Sequence, residues 1–163
     1  MRSVASTSIT AARVVETALS NFKSIDVLVN NAGIFFTKPF TDYTAKGFKS
    51  LVSANVEGFL YVTQLSIGQM LAQKTGGSIV TITASLARNP IRGVTAAVPM
   101  ITKGGLETLT QYLAMEYAKD GIRVNAVARG VVYTPLHWNT PKDVMESLSP
   151  MGRPCYWRRE PST

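Results

Sequence analysis

Asp26-Val27-Leu28-Val29-Asn30-Asn31-Ala32-Gly33 is the stretch on which the fold of this chain turns. Its apolar run is short and almost unbroken, the pattern of a parallel strand buried on both faces. Ala32 and Gly33 follow at once and make a turn without bulky side chains, so the backbone there can lie close to a flat ligand. A plain strand-to-helix turn would explain the glycine but not the paired asparagines.

Outward from this strand, helices and strands alternate. Upstream, Ala11, Val14, Ala18 and Phe22 recur at helical spacing and predict a helix over about Thr10 to Phe22. Downstream, Phe48, Val52, Val56, Phe59, Val62 and Met70 predict one long helix over about Tyr43 to Gln73. Gly76-Gly77 ends that connection, and Ser78 to Thr83 reads as a second strand. The segment from Ala84 to Val98 holds Pro90 and Gly93 and reads as a loop. A third helix is expected over about Pro99 to Lys119, with Leu106, Leu109, Leu113 and Tyr117 on one face and Gly121 just past its end. Ile122 to Val127 is the third strand. Three helix-then-strand units in series argue for an α/β fold with a parallel sheet. We expect one partial domain over 1–163, with an irregular tail from about residue 150.

Hydrophobic residues make up 45% of the 163 positions and charged ones 17%, which excludes a disordered chain. The single cysteine, Cys155, cannot form an internal disulfide, and a reducing, cytoplasmic setting is the default. No apolar run is long enough to span a bilayer; the stretch Phe59 to Met70 is broken by Thr63, Gln64, Ser66 and Gln69. The N-terminal segment has the Ser/Thr and Arg content of a transit peptide, but its helical spacing runs straight into the first strand. The net charge of +7 admits a nucleic-acid or phosphate-bearing partner. Its one cluster, Arg153, Arg158 and Arg159 with Tyr156 and Trp157, reads more simply as a frayed tail, so neither nucleic acid nor membrane is expected as a partner.

Asn30-Asn31-Ala32-Gly33 at a strand end, Asn55, the run Thr102-Lys103-Gly104-Gly105-Leu106 and Val124-Asn125-Ala126-Val127 leading to Gly130 together resemble the short-chain dehydrogenase/reductase family over about Thr10 to Ser149. The resemblance implies a partial doubly wound, Rossmann-like parallel sheet of about three strands with covering helices. A dinucleotide, NAD or NADP, would lie across the carboxyl ends of the strands. It further implies hydride transfer to or from a small-molecule alcohol or carbonyl substrate. By the same resemblance Asn30 ties neighbouring strands and contacts the cofactor ribose, with Ala32 and Gly33 beside it. Asn55 interrupts its helix and holds a water of the proton relay, and Lys103 holds the nicotinamide ribose hydroxyls. Val132 and Thr134 contact the carboxamide. Counting back from Lys103 puts the carbonyl-orienting serine at Ser85, whereas the strand register puts Ala84 there. Arg129, where the family has proline, is a phosphate partner or a solvated loop charge.

The departures matter as much. Four residues before Lys103 the family has its catalytic tyrosine, and this chain has Pro99. Proline suits a first helical turn, but it has no proton to give. Tyr112 lies nine residues beyond Lys103, and Tyr133 is the one tyrosine whose loop could swing towards the site. The glycine-rich T-G-x-x-x-G-x-G turn that cradles a pyrophosphate does not occur, and Pro154 to Thr163 departs from the family pattern. We therefore expect a chain truncated at both ends, through biology or through its gene model, with the Asp26–Asn30 strand at an exposed apolar edge. The function expected is that of an NAD(P)-dependent oxidoreductase; the alternative is a non-catalytic remnant or partner subunit. The two long helices resemble the pair through which family members assemble, so a homo-oligomer or association with a full-length relative is expected. The substrate-shaping loops, Ile34 to Thr41 and Tyr133 to Pro150, carry no specific clue.

Overall fold

The computed structural model describes residues 7–130, with the backbone of 132–133 and 155–156. The chain divides into two units, Met1–Ala128 and Arg129–Thr163. In chain order the elements are α1 (Ser8–Phe22), β1 (Val27–Asn30), α2 (Ala45–Val52), α3 (Gly58–Gln73), β2 (Gly77–Ala84), α4 (Ala97–Glu116) and β3 (Ile122–Arg129), at whose end the first unit closes. The second unit contributes β4 (Val132–Tyr133) and β5 (Cys155–Tyr156), paired in parallel. Thr134, the loop to Pro150 and the basic side chains of the tail lie outside the described residues.

The sheet of the first unit has the order β1-β2-β3, and β1 is its edge, as expected from the sequence. β1 runs parallel to β2 with Leu28 opposite Ile79 and Asn30 opposite Thr81. Local caps fix several helix ends. The Thr7 hydroxyl accepts from Thr10 N at the start of α1, and the Thr44 hydroxyl accepts from Gly47 N at the start of α2. Lys23 and Lys74 close α1 and α3 in the left-handed region. The turns before β2 and after α4 touch: Gly77 N donates to Gly121 O at 3.2 Å. Gly76 sits there with φ +73°, and a Cβ on it would fall 2.6 Å from Gly121 O, so only glycine fits.

One core binds these pieces. Val15 of α1, Ile67 and Met70 of α3, Ile79 of β2, and Ile122 and Val124 of β3 are buried together with Ile25, and Leu28 and Leu113 pack against them. Gln73 at the end of α3 brackets Ile25 from both sides, accepting from its N at 2.9 Å and donating to its O at 3.2 Å. That pair of bonds sets the entry into β1.

Three sequence expectations need correction. β1 is not buried on both faces. Leu28 turns to the helices, whereas Val27 is 62% and Val29 58% exposed. All the helices that reach this core lie on one side of the sheet, so alternate residues of β1 face outward. The helix expected over Tyr43 to Gln73 is two helices, α2 and α3, joined by a π-helical turn at Ser53–Glu57. The wide turn rotates the buried face, so Leu51 and Ala54 are buried while Phe48 is 42% exposed. The buried stripe of α1 is Ala11 and Val15, and Phe22 is 77% exposed. Among the described residues, no helix is long and apolar enough to cross a membrane.

Candidate functional site at the carboxyl ends of β1 and β2

The chain leaves β1 at Asn30 and passes through the exposed small residues Ala32 and Gly33. Asn30 Nδ2 donates to Thr63 Oγ1 of α3 at 3.0 Å, which anchors the end of the strand to the helix behind it. The centre of the arrangement is Asn55, 2% exposed and placed in the π-helical turn. Its Oδ1 accepts from Ile34 N at 2.8 Å. Its Nδ2 donates to Ile34 O at 3.1 Å and to Thr102 Oγ1 at 3.0 Å. A buried amide must have its hydrogen bonds satisfied, and here three of them tie the loop after β1 to the first turns of α4. Thr102 in turn donates to Pro99 O at 2.7 Å.

Lys103 lies on the same face. Its Nζ donates to Ile82 O of β2 at 2.8 Å. A Cβ built on Gly33 would stand 2.9 Å from Asn55 Oδ1 and 3.7 Å from Lys103 Nζ. The absent side chain at Gly33 therefore lets the backbone after β1 lie against the Asn55 amide, with the Lys103 ammonium close by. Gly33, Asn55 and Lys103, far apart in sequence, are close together in the fold.

Other candidates are placed less decisively. Ala84 is the last residue of β2, and Ser85 opens the 3-10 turn Ser85–Ala87, where its carbonyl accepts from Arg88 N and Asn89 N. Pro99 is fully buried in the first turn of α4, a helix that begins at Ala97 rather than at Pro99. Lys103 is thus in the second turn of α4, not at its opening. Val132 is described only as backbone in β4, and Thr134 lies outside the described residues.

The loops around this end are cross-braced. Lys38 N donates to Thr95 O at 3.2 Å, and Tyr43 Oη donates to Phe36 O at 2.9 Å under a stacked Phe36 ring. Burial holds the Tyr43 phenol above its ordinary value of 10.0. Reading the sequence missed the Thr102 bridge and a buried ionic group, Glu107. The latter accepts from Thr83 Oγ1 at 2.9 Å and from Arg88 Nε at 2.6 Å. Glu107 is four residues past Lys103, a spacing that puts both on one helical face; that was the available signal.

Known proteins resemble this chain over most of its length. A family profile described as enoyl-(acyl carrier protein) reductase matches residues 5–158. A tropinone reductase homolog of Arabidopsis thaliana is 39% identical over 148 residues, covering 86% of this chain and 55% of the relative. L-xylulose reductase of Bos taurus is 35% identical over 144 residues, covering 85% and 58%. The chain spans about half the length of the curated relatives it matches. Among solved structures, a short-chain type dehydrogenase/reductase from Mycobacterium marinum superposes with a TM-score of 0.85 at 25% identity, covering 96% of this chain and 62% of that one. Acetoin dehydrogenase from Enterobacter cloacae superposes at 0.76 with 33% identity, covering 89% and 57%.

Proposed function

Because this chain belongs to the short-chain dehydrogenase/reductase family, we propose that it binds the ribose and nicotinamide end of NAD or NADP and serves hydride transfer between that cofactor and an alcohol or carbonyl compound. The observation that carries this reading is the close approach of Gly33, Asn55 and Lys103 at the carboxyl ends of β1 and β2. The donor set fits the cofactor: Lys103 offers an ammonium to ribose hydroxyls, and the Asn31–Gly33 strip offers backbone without bulk. The nicotinamide, when bound, supplies or accepts the hydride. Asn55 ties Ile34 to Thr102, so the loop after β1 is fixed to α4 before a ligand arrives. Ser85 is the hydroxyl we assign to orient the carbonyl.

Pro99 stands where the family pattern has the tyrosine that protonates the product oxygen. A positioned general acid contributes roughly 10² to 10⁴-fold, so turnover is expected to be slow by about that factor while binding persists. Thermal-shift measurement with each of the four nicotinamide nucleotides, followed by an NAD(P)H absorbance assay with small ketones, tests this. Protection with weak turnover is the expected result; neither protection nor turnover sinks the proposal.

We further propose assembly through α3 and α4, in the cytoplasm. A groove of about 350 Å³ runs between them past Leu60, Leu113 and Tyr117, and Tyr112 and Met115, also on α4, are 71% and 81% exposed. Apolar side chains of this size in open water mark an association surface.

A further inference from the structure

Glu107 is the unexplained group of this fold. Its side chain is 7% exposed, yet its ionic partner Arg88 is 62% exposed. A half-buried ion pair adds little to stability, because desolvating the carboxylate offsets most of the attraction. Such a pair is better suited to fixing the direction of a side chain. Glu107 engages Arg88 through Nε alone, and its other oxygen accepts from the buried Thr83 hydroxyl. No other protein group among the described residues holds the guanidinium. Both terminal nitrogens of Arg88 therefore keep their donors, in a plane set from below.

Position gives this arginine its meaning. It directly follows the turn Ser85–Ala87 at the carboxyl end of β2. That turn packs on α4 beside Lys103, with the Ala87 methyl 4.0 Å from where a Cβ of Gly104 would be. Glu107 lies one helical turn, roughly 6 Å, beyond Lys103. The charge of the neighbouring loops is of the same sign. Lys38 and Arg92 are exposed on two loops joined by the Lys38–Thr95 hydrogen bond, and Asp42 is the one acid on 31–44 and 85–96.

We propose that Arg88, aimed by Glu107, is an anion receptor at the rim of this site, and that the carbonyl substrate carries an oxyanion group, a carboxylate or a phosphate. A planar fork with free paired donors matches either group in a bidentate way. Glu107 acts through Arg88 and is a positioning residue. The inference rests on the oxidoreductase reading above but is tested without the cofactor, so the two can fail separately.

The test is an NMR titration of the ¹⁵N-labelled chain, following the Arg88 Nε–Hε signal and the amides of 85–89. The probes are acetoacetate against its methyl ester, and dihydroxyacetone phosphate against dihydroxyacetone. One charge-assisted pair corresponds to about 1.4 kcal/mol, so the acidic member of at least one couple should bind about tenfold more tightly. Which couple shows the preference identifies the anion. Arg88→Ala should abolish the preference. Arg88→Lys, which keeps a charge beside Glu107 but lacks the fork, should lose most of it and serves if the alanine variant does not fold. Glu107→Gln should weaken it by a smaller factor while raising the hydrogen-exchange rate of the Arg88 and Asn89 amides. Equal binding within both couples, no binding of any probe, or a preference that survives at Arg88→Ala and Arg88→Lys overturns the proposal.

Discussion

Asn55 shows how one side chain can organise a site that no local rule describes. Its amide spends three hydrogen bonds on groups 21 and 47 residues away. Asn55→Ala would remove the partner of the half-buried Ile34 N and O, and one of the two partners of the buried Thr102 Oγ1. The expected loss is roughly 2–3 kcal/mol, read as a lower urea midpoint at unchanged slope. Pro99 is the opposite case, a buried residue whose type the local backbone tolerates because a first helical turn needs no N–H there. Pro99→Tyr restores a phenol four residues before Lys103. Ketone reduction in the NADPH assay should rise by about 10² to 10⁴-fold. Overpacking should at the same time lower the melting temperature, at a cost of about 1–3 kcal/mol. A rate no faster than that of the parent chain would show that Pro99 does not stand at the proton-donating position.

Among the elements, β1 and the α2–α3 pair were each half legible. The existence and order of β1, β2 and β3 followed from apolar runs between glycines, and the edge position of β1 was expected and found. Its exposed face was not, because an unbroken apolar run looks alike whether one face or both are covered. That face carries a liability: an open parallel edge beside Val27 and Val29 invites another chain. Val29→Lys should reduce light scattering on concentration while shifting stability by no more than about 0.5 kcal/mol, since the side chain already faces water. A larger stability loss would mean that this face is covered in solution. In the α2–α3 pair, the π-helical turn escaped periodicity analysis because its single wide turn leaves the residues on both sides at near-helical spacing. The resemblance to the family, rather than the spacing, pointed to an interruption at Asn55.

At the scale of the whole molecule, all the helices that reach the described core stand on one side of a three-stranded sheet. With so small a core, burial between copies is the readiest source of added stability, and the α3–α4 groove offers the apolar surface. Sedimentation of the chain should report a species larger than the monomer, and Leu60→Glu with Met115→Glu should return it to the monomer. A parent chain that sediments as a monomer at tens of micromolar would remove the assembly proposal. Association of copies that each carry a net charge of +7 should be stronger at higher salt, where repulsion between them is screened.

The amino-acid sequence by itself determined the α/β alternation, the strands and their order of appearance, the small-residue turn after Asn30 and the candidates Asn55 and Lys103. These depend on local period, turn chemistry and motif spacing, all carried by neighbouring residues. Only the tertiary structure decided which face of β1 meets water, that Thr102 bridges Asn55 to Pro99, and that Glu107 is buried against Thr83 and Arg88. Each of these is a contact between segments about twenty or more residues apart, or within a helix turn whose rotation they set. Packing chooses among orientations that local preference leaves equal in energy.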